Sequence, residues 1–206
     1  MKIIDLSHVI ENNMPVYPGD PEVNLVQIKH LDRDKYSNHR LDIGMHAGTH
    51  IDSPMHLLDC KRYICELPLE SFIAEGCLLD VRNEAIIKMK PEYDSLVKEN
   101  GIVLLYTSYD KYYGTKEYYE NHPCIEKELC RFLIKKKVKM VGMDLPSLDR
   151  YPFEVHKLLF ENSIYIMENL TNLWQLLNAG RFEVMAFPLK IKADSSIARV
   201  VARVVL

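Results

Sequence analysis

No apolar run in this 206-residue chain is long enough to cross a bilayer. Ile102–Tyr106 and Ile164–Met167 are among its longest, and a spanning helix needs ~20 residues. No secretory leader is expected either, because Asp5, Ser7 and His8 break the apolar start that follows Lys2. No CxxC pair exists. The five cysteines (Cys60, Cys65, Cys77, Cys124, Cys130) are odd in number and none has zinc-finger spacing, which argues against a thiolate metal centre. They read as reduced thiols of a cytoplasmic protein. Positive charge is not in excess: 26 Lys and Arg against 29 Asp and Glu give a net charge of −3. A basic footprint for nucleic acid is therefore absent. No GxSxG elbow occurs, which excludes the serine chemistry of α/β-hydrolases. Repeats, low-complexity tracts and flexible linkers are also lacking, so one domain over residues 1–206 is expected.

What is present is a globular pattern. Hydrophobic residues make up 48% and charged residues 27%, which excludes a disordered or fibrous chain. Lys2–Leu6 reads as an edge strand and Met14–Pro21 as a proline-punctuated turn. Asn24–His30 alternates polar and apolar, as a half-buried strand does. Leu41–Met45, Gly76–Val81, Ile102–Thr107, Val138–Met143 and Ile164–Met167 have the length and composition of strands. Pro91–Glu99 starts on a first-turn proline and stops at Asn100-Gly101, a helix signature. Between Cys124 and Lys137, the residues Ile125, Leu129, Phe132 and Leu133 fall on one helical face. Pro152–Phe160 and Thr171–Asn178 read as short helices. Glu183–Ile191 and Ile197–Val205 read as a closing hairpin around Asp194-Ser195-Ser196. Strands outnumber helices and several alternate with them, so the class is α/β or mixed α+β.

The segment His46–His56 (HAGTHIDSPMH) holds three of the eight histidines, together with Asp52. Imidazole nitrogen and carboxylate oxygen are the ligands that borderline divalent ions take. His50 and Asp52 are two apart, so an extended backbone points both side chains the same way. Gly48 allows a tight turn that folds His46 back beside them, and Pro54 stops the segment from continuing as a helix. No glutamate sits between the histidines, so this is not the helical HExxH arrangement. Packing alone does not explain such a cluster in a turn-rich stretch, and a metal site is expected. The isolated His8, His30, His39 and His122 read as ordinary packing or surface residues.

With these residues in view, the chain resembles the metal-dependent cyclase and bacterial kynurenine formamidase (arylformamidase) family. That family's central motif is HxGTHxDxPxH, and His46–His56 matches every fixed position. Asp5-Leu6-Ser7, the Tyr17-Pro18-Gly19-Asp20 loop, Leu67-Pro68-Leu69 and the stretch Gly142–Asp149 extend the resemblance. So do His156 and Glu168, twelve residues apart, and Ala186-Phe187-Pro188-Leu189 with Arg199. The resemblance implies a swivelling β/β/α fold, with a β-barrel-like sheet flanked by helices. It implies that His46, His50 and Asp52 bind one divalent metal ion, and that Asp52, His156 and Glu168 bind a second. It makes His56 the general acid/base and implies a homodimer or homotetramer; the His, Asp and Glu donors suit zinc first, with manganese, iron or cobalt as alternatives. Without that spacing, His156 reads as a helix-surface histidine, and Glu168 as either a strand end or a solvated residue.

The implied chemistry is hydrolysis of an amide by metal-activated water. The first candidate substrate is N-formyl-L-kynurenine, a step of tryptophan catabolism. A cyclic amide of the isatin kind, or another acylated amine, is the alternative. A non-catalytic metal-binding protein is a third reading, disfavoured because His56 is retained beside the ligand set. Tyr17 stands where kynurenine formamidases commonly carry tryptophan, and Thr107-Ser108-Tyr109 replaces their Thr-Gly-Trp. Tyr17 is read either as a substrate-stacking residue or as a loop aromatic covering the core. The tyrosine-rich stretch Tyr106–Tyr119 is read as an irregular surface segment, with a lid or subunit contact as alternatives.

Overall fold

Short apolar segments with period two build a sheet here, and two amphipathic helices cover its outer face. The computed structural model describes residues 1–205, so Leu206, the last residue of the expected domain, lies outside the described residues. The strands are β1 (Lys2–Asp5), β2 (Asn24–Lys29), β3 (Asn38–Asp42), β4 (His50–Asp52), β5 (Ile73–Asp80) and β6 (Ile86–Ile87). They continue with β7 (Ile102–Tyr106), β8 (Cys124–Ile125), β9 (Met140–Met143), β10 (Tyr165–Glu168), β11 (Phe182–Pro188) and β12 (Ser195–Val204). β2 pairs only with β3, and β6 only with β8; the rest form one sheet in the order β1-β12-β11-β5-β7-β9-β10-β4.

The long strand β12 closes that sheet. β11 runs along one of its edges. On the other edge, its C-terminal end takes β1, with Lys2 opposite Val204. Its N-terminal end takes β4, with Ser195 opposite Asp52 and Ile197 opposite His50. Because β4 also pairs with β10, seven strands form a closed barrel with β1 beside it. Closure leaves these strands without a free edge.

Alternation separates two cores. Ile102, Leu104 and Tyr106 of β7 join Ile51, Met167 and Val200 inside the barrel. Val103 and Leu105 instead join Leu129, Leu133 and Leu159 on the helix side. A strand buried on both faces reads as a continuous apolar run, which is how β7 appears in the sequence. The helix Lys127–Lys135 buries Leu129, Cys130 and Leu133. Each of the two leucines contributes roughly 1.5–3 kcal/mol by burial. The helix Glu154–Glu161 is the crossover between the parallel strands β9 and β10 and buries Val155, His156, Leu159 and Phe160. No helix among the described residues is long and apolar enough to cross a membrane.

The mixed α+β, barrel-like architecture is the one expected, with local differences. The expected helix over Pro91–Glu99 is one turn, Tyr93–Leu96, anchored by Tyr93 alone. One turn fixes several dihedrals for little burial, so it does not propagate. The expected helix over Thr171–Asn178 is a 3-10 turn, Leu173–Leu176. The strand expected at Leu41–Met45 lies earlier, at Asn38–Asp42, because the amide of Ala47 turns back to the Gly44 carbonyl at 3.2 Å.

Candidate metal centre

Ile51 points into the barrel, so its neighbours His50 and Asp52 on β4 point out of it. Pairing with β10 sets Glu168 directly opposite His50. Gly48 has φ +61°, and a Cβ there would meet the Met14 side chain at 2.7 Å, so the turn requires glycine. Through that turn His46 folds back until its Nδ1 lies 2.9 Å from Asp52 Oδ1. Pro54 opens a 3-10 turn, Pro54–His56, which returns His56 to the cluster with its ring 4.3 Å from that of His46. The crossover helix supplies His156, whose Nε2 is 3.2 Å from Glu168 Oε1. The five expected ligands and His56 thus meet on one wall.

Two atoms of this cluster are buried without a hydrogen bond of good geometry, His50 Nε2 and Asp52 Oδ1, the latter approached by His46 Nδ1 at 2.9 Å. They lie 3.4 Å apart, and Glu168 Oε2 is 3.5 Å from His50 Nε2. Leaving a buried polar atom unmade costs about 1–3 kcal/mol. A nitrogen and an oxygen lone pair directed into one space fit a divalent cation. His50 Nδ1 lies 2.8 Å from the Gly48 carbonyl, which places the proton on Nδ1 and the lone pair on Nε2. His156 is set the same way: Nδ1 donates to the Asp149 carboxylate, whose other oxygen accepts from the Val155 amide at 2.7 Å. Fixed tautomers of this kind orient metal-binding imidazoles.

Two triplets of donor groups lie closest together. His46, Asp52 and His56 form one triplet with mutual distances within 4.8 Å, and His50, Asp52 and Glu168 form another. Asp52 is shared, as expected. His50 stands between the two groups: its Nε2 is 3.4 Å from Asp52 Oδ1 and 3.5 Å from Glu168 Oε2, and its ring centroid is 5.0 Å from that of His46. His156 lies just behind Glu168.

Asp194 completes the cluster and is not singled out by the sequence, where it reads only as part of a hairpin turn. Its Oδ2 is 2.9 Å from His46 Nε2 and 3.4 Å from His56 Nδ1. The hydroxyl of Ser195 also lies 2.9 Å from His46 Nε2. The pairing of Ser195 with Asp52 and the bond from the Ser53 amide to the Asp194 carbonyl at 3.2 Å bring this turn to the site, and no local signal announces either.

The charges are strongly coupled. Burial alone would lower His46, but the Asp52 and Asp194 carboxylates reverse this and raise it to about 9. Burial opposes His156 too, and its hydrogen bonds to Asp149 and Glu168 carry it up to about 10. His46 holds Asp194 down at about 2. Burial pushes Asp144 up to about 6, although Thr107 and Ser108 donate to its carboxylate.

The cluster opens into a cavity of about 580 Å³, also lined by Tyr17, Tyr113, Tyr119, His122, Arg150 and Phe153. Tyr17 lies at its rim, 46% exposed and edge-on to Tyr119 at 5.6 Å. One expectation holds here and one changes. His122 is, as expected, a buried histidine with a local hydrogen bond, its Nδ1 3.0 Å from the Pro123 carbonyl, and it also lines the cavity. The tyrosine-rich stretch is not a loose surface segment, because Tyr106 and Tyr118 are buried and Tyr113 stacks on His8 at 3.9 Å. Phe153 adopts φ +59°, a conformation costly for a bulky residue, and sets its ring 5.8 Å from that of His156.

Residues 4–150 match the family described as Putative cyclase. A kynurenine formamidase of Bacillus cereus is 29% identical over 97% of this chain and 96% of its own length. A solved structure described as a potential metal-dependent hydrolase with cyclase activity is 27% identical with TM-score 0.77, covering 98% of both chains. Isatin hydrolase A from Labrenzia aggregata shares the fold with TM-score 0.85 at 24% identity, over 98% of this chain and 93% of that one. With the fold, the histidine motif and the family match in agreement, the chain belongs to the cyclase family.

Proposed function

We propose that this protein is a metal-dependent amide hydrolase, and that its substrate is N-formyl-L-kynurenine, cleaved to L-kynurenine and formate. The observation that carries this reading is the pair of buried atoms His50 Nε2 and Asp52 Oδ1, neither in a hydrogen bond of good geometry, on the wall of an aromatic cavity. The similarity to a kynurenine formamidase of Bacillus cereus supports the substrate.

In this reading His46, His50, Asp52, His156 and Glu168 hold two divalent ions, zinc or manganese. A divalent ion held there supplies Lewis acidity, acidifying water and polarising a carbonyl oxygen. The rest falls to the chain's own side chains. Gly48 and Asp149 fix the His50 and His156 tautomers, so both Nε2 atoms present lone pairs. His56 is partly exposed, with Nδ1 towards Asp194, which leaves its Nε2 to deliver a proton to the departing aniline nitrogen. Tyr17 and Tyr119, edge-on at the rim, give a flat aryl group a surface to pack against. A cytoplasmic homodimer or homotetramer is part of the proposal, and light scattering checks the assembly.

The test is N-formyl-L-kynurenine hydrolysis by protein loaded with zinc or manganese, alongside His56→Ala. The expected result is turnover that a chelator removes, and a roughly 10²–10⁴-fold loss in His56→Ala with its metal content intact. Loss of metal in His56→Ala would make His56 a ligand instead. Turnover of isatin but not of the formamide would replace the substrate and leave the hydrolase.

A further inference from the structure

Five carboxylates line the cavity: Asp20, Asp52, Glu120, Asp149 and Glu168. Arg150 is the single lysine or arginine among the described residues that line it. Every hydrogen bond it makes goes to a neutral atom. Nη2 donates to the carbonyls of His122 at 2.7 Å and Glu120 at 3.2 Å, and Nη1 donates to Cys124 Sγ at 3.3 Å. These contacts pin the guanidinium to the segment that carries His122. A guanidinium has five N–H groups, so two remain without an acceptor among the described residues.

A pinned cation with spare donors is prepared for an anion. Arginine suits carboxylate because its planar donors match the two oxygens, and prior fixation reduces the ordering cost of binding. Tyr119 and Phe153, also on the cavity wall, flank the same region with aromatic surface.

We propose that Arg150 binds a carboxylate of the substrate, so that the preferred substrate is an aromatic amide bearing an acid group away from the bond that breaks. This deepens the amide hydrolase reading above and rests on it. Arg150 selects the substrate and takes no part in proton transfer, so its removal acts on KM.

The experiment compares N-formyl-L-kynurenine with 2-formamidoacetophenone, which keeps the ring, ketone and formamide but lacks the acid. The ratio of their kcat/KM values is measured in the metal-loaded wild type, Arg150→Met and Arg150→Lys. The expected result is a ratio at least tenfold lower in Arg150→Met, arising in KM, with partial recovery in Arg150→Lys. An equal loss on both substrates would reveal a purely structural role, and an unchanged ratio would also overturn the proposal.

If neither formamide turns over, the substrate reading fails while Arg150 is still tested by calorimetry. The probes are then 4-oxo-4-phenylbutanoate and its neutral amide. A preference for the acid that disappears in Arg150→Met supports the assignment. No preference in the wild type, or one that survives in Arg150→Met, overturns it, the latter because the acid then sits elsewhere, such as on the metal.

Discussion

Asp194 shows how much one side chain outside the motif contributes. It touches His46 Nε2 and His56 Nδ1 together, at 2.9 and 3.4 Å, and so holds two imidazoles in register. A carboxylate behind a histidine raises its basicity and fixes its ring. Asp194→Asn keeps the shape and removes the charge. At saturating metal, kcat is expected to fall roughly 10–100-fold, the usual cost of losing such a partner. Steady-state kinetics combined with metal analysis checks this, and full activity in Asp194→Asn would reduce the residue to a turn former. At this scale the sequence is very readable within the motif. His46, His50, Asp52 and His56 declare themselves because glycine, proline and the two-residue spacing dictate local geometry. Asp194, His122 and Arg150 do not, because each reaches the cavity through contacts made far away in the chain.

Elements carry the next level of precision. β4 is only three residues long and contributes His50 and Asp52 because β10 and β12 clamp it from both sides. Its neighbour-but-one, β9, has Gly142 at a position where a Cβ would lie 2.8 Å from both Leu170 Cδ1 and Met167 Cε, and 2.9 Å from Leu104 Cδ2. Gly142→Ala forces packed side chains apart, which costs about 1–3 kcal/mol. At roughly 2–4 °C per kcal/mol for a chain of this size, Tm falls by several degrees. Gly44→Ala is the control, since nothing lies within 4 Å of a Cβ there. Equal Tm values for the two variants in calorimetry would contradict the packing argument. Strand positions are legible because apolar runs such as Ile102–Tyr106 have few other uses. Short helices are less so. Pro91 announces a start, but burial, which the sequence does not display, ends the helix after one turn. Nor can local pattern reveal that β12 closes the barrel, a pairing between residues more than a hundred positions apart.

Across the whole molecule, proton and metal compete for the same lone pairs, and this gives folding stability two opposite pH dependences. In the metal-free protein His46 titrates at about 9 and His156 at about 10, both above the ordinary 6.5. The folded state therefore holds protons that the unfolded chain releases near pH ~6.5. That stabilisation is fully present below this value and is lost as pH rises through about 9 and then about 10. A divalent ion needs the same nitrogens deprotonated, so binding expels protons and tightens as pH rises. Chelated protein is expected to lose Tm steadily between pH ~6.5 and ~10. With excess zinc, the binding contribution to stability grows with pH across the same range, because the apparent Kd falls. The separation between the two curves is then narrow near pH 6 and wide near pH 9. Calorimetry in buffers of different ionisation enthalpy gives the number of protons expelled per ion. Parallel Tm curves with and without zinc, or metal binding without proton release, would show that these histidines do not exchange their protons for metal.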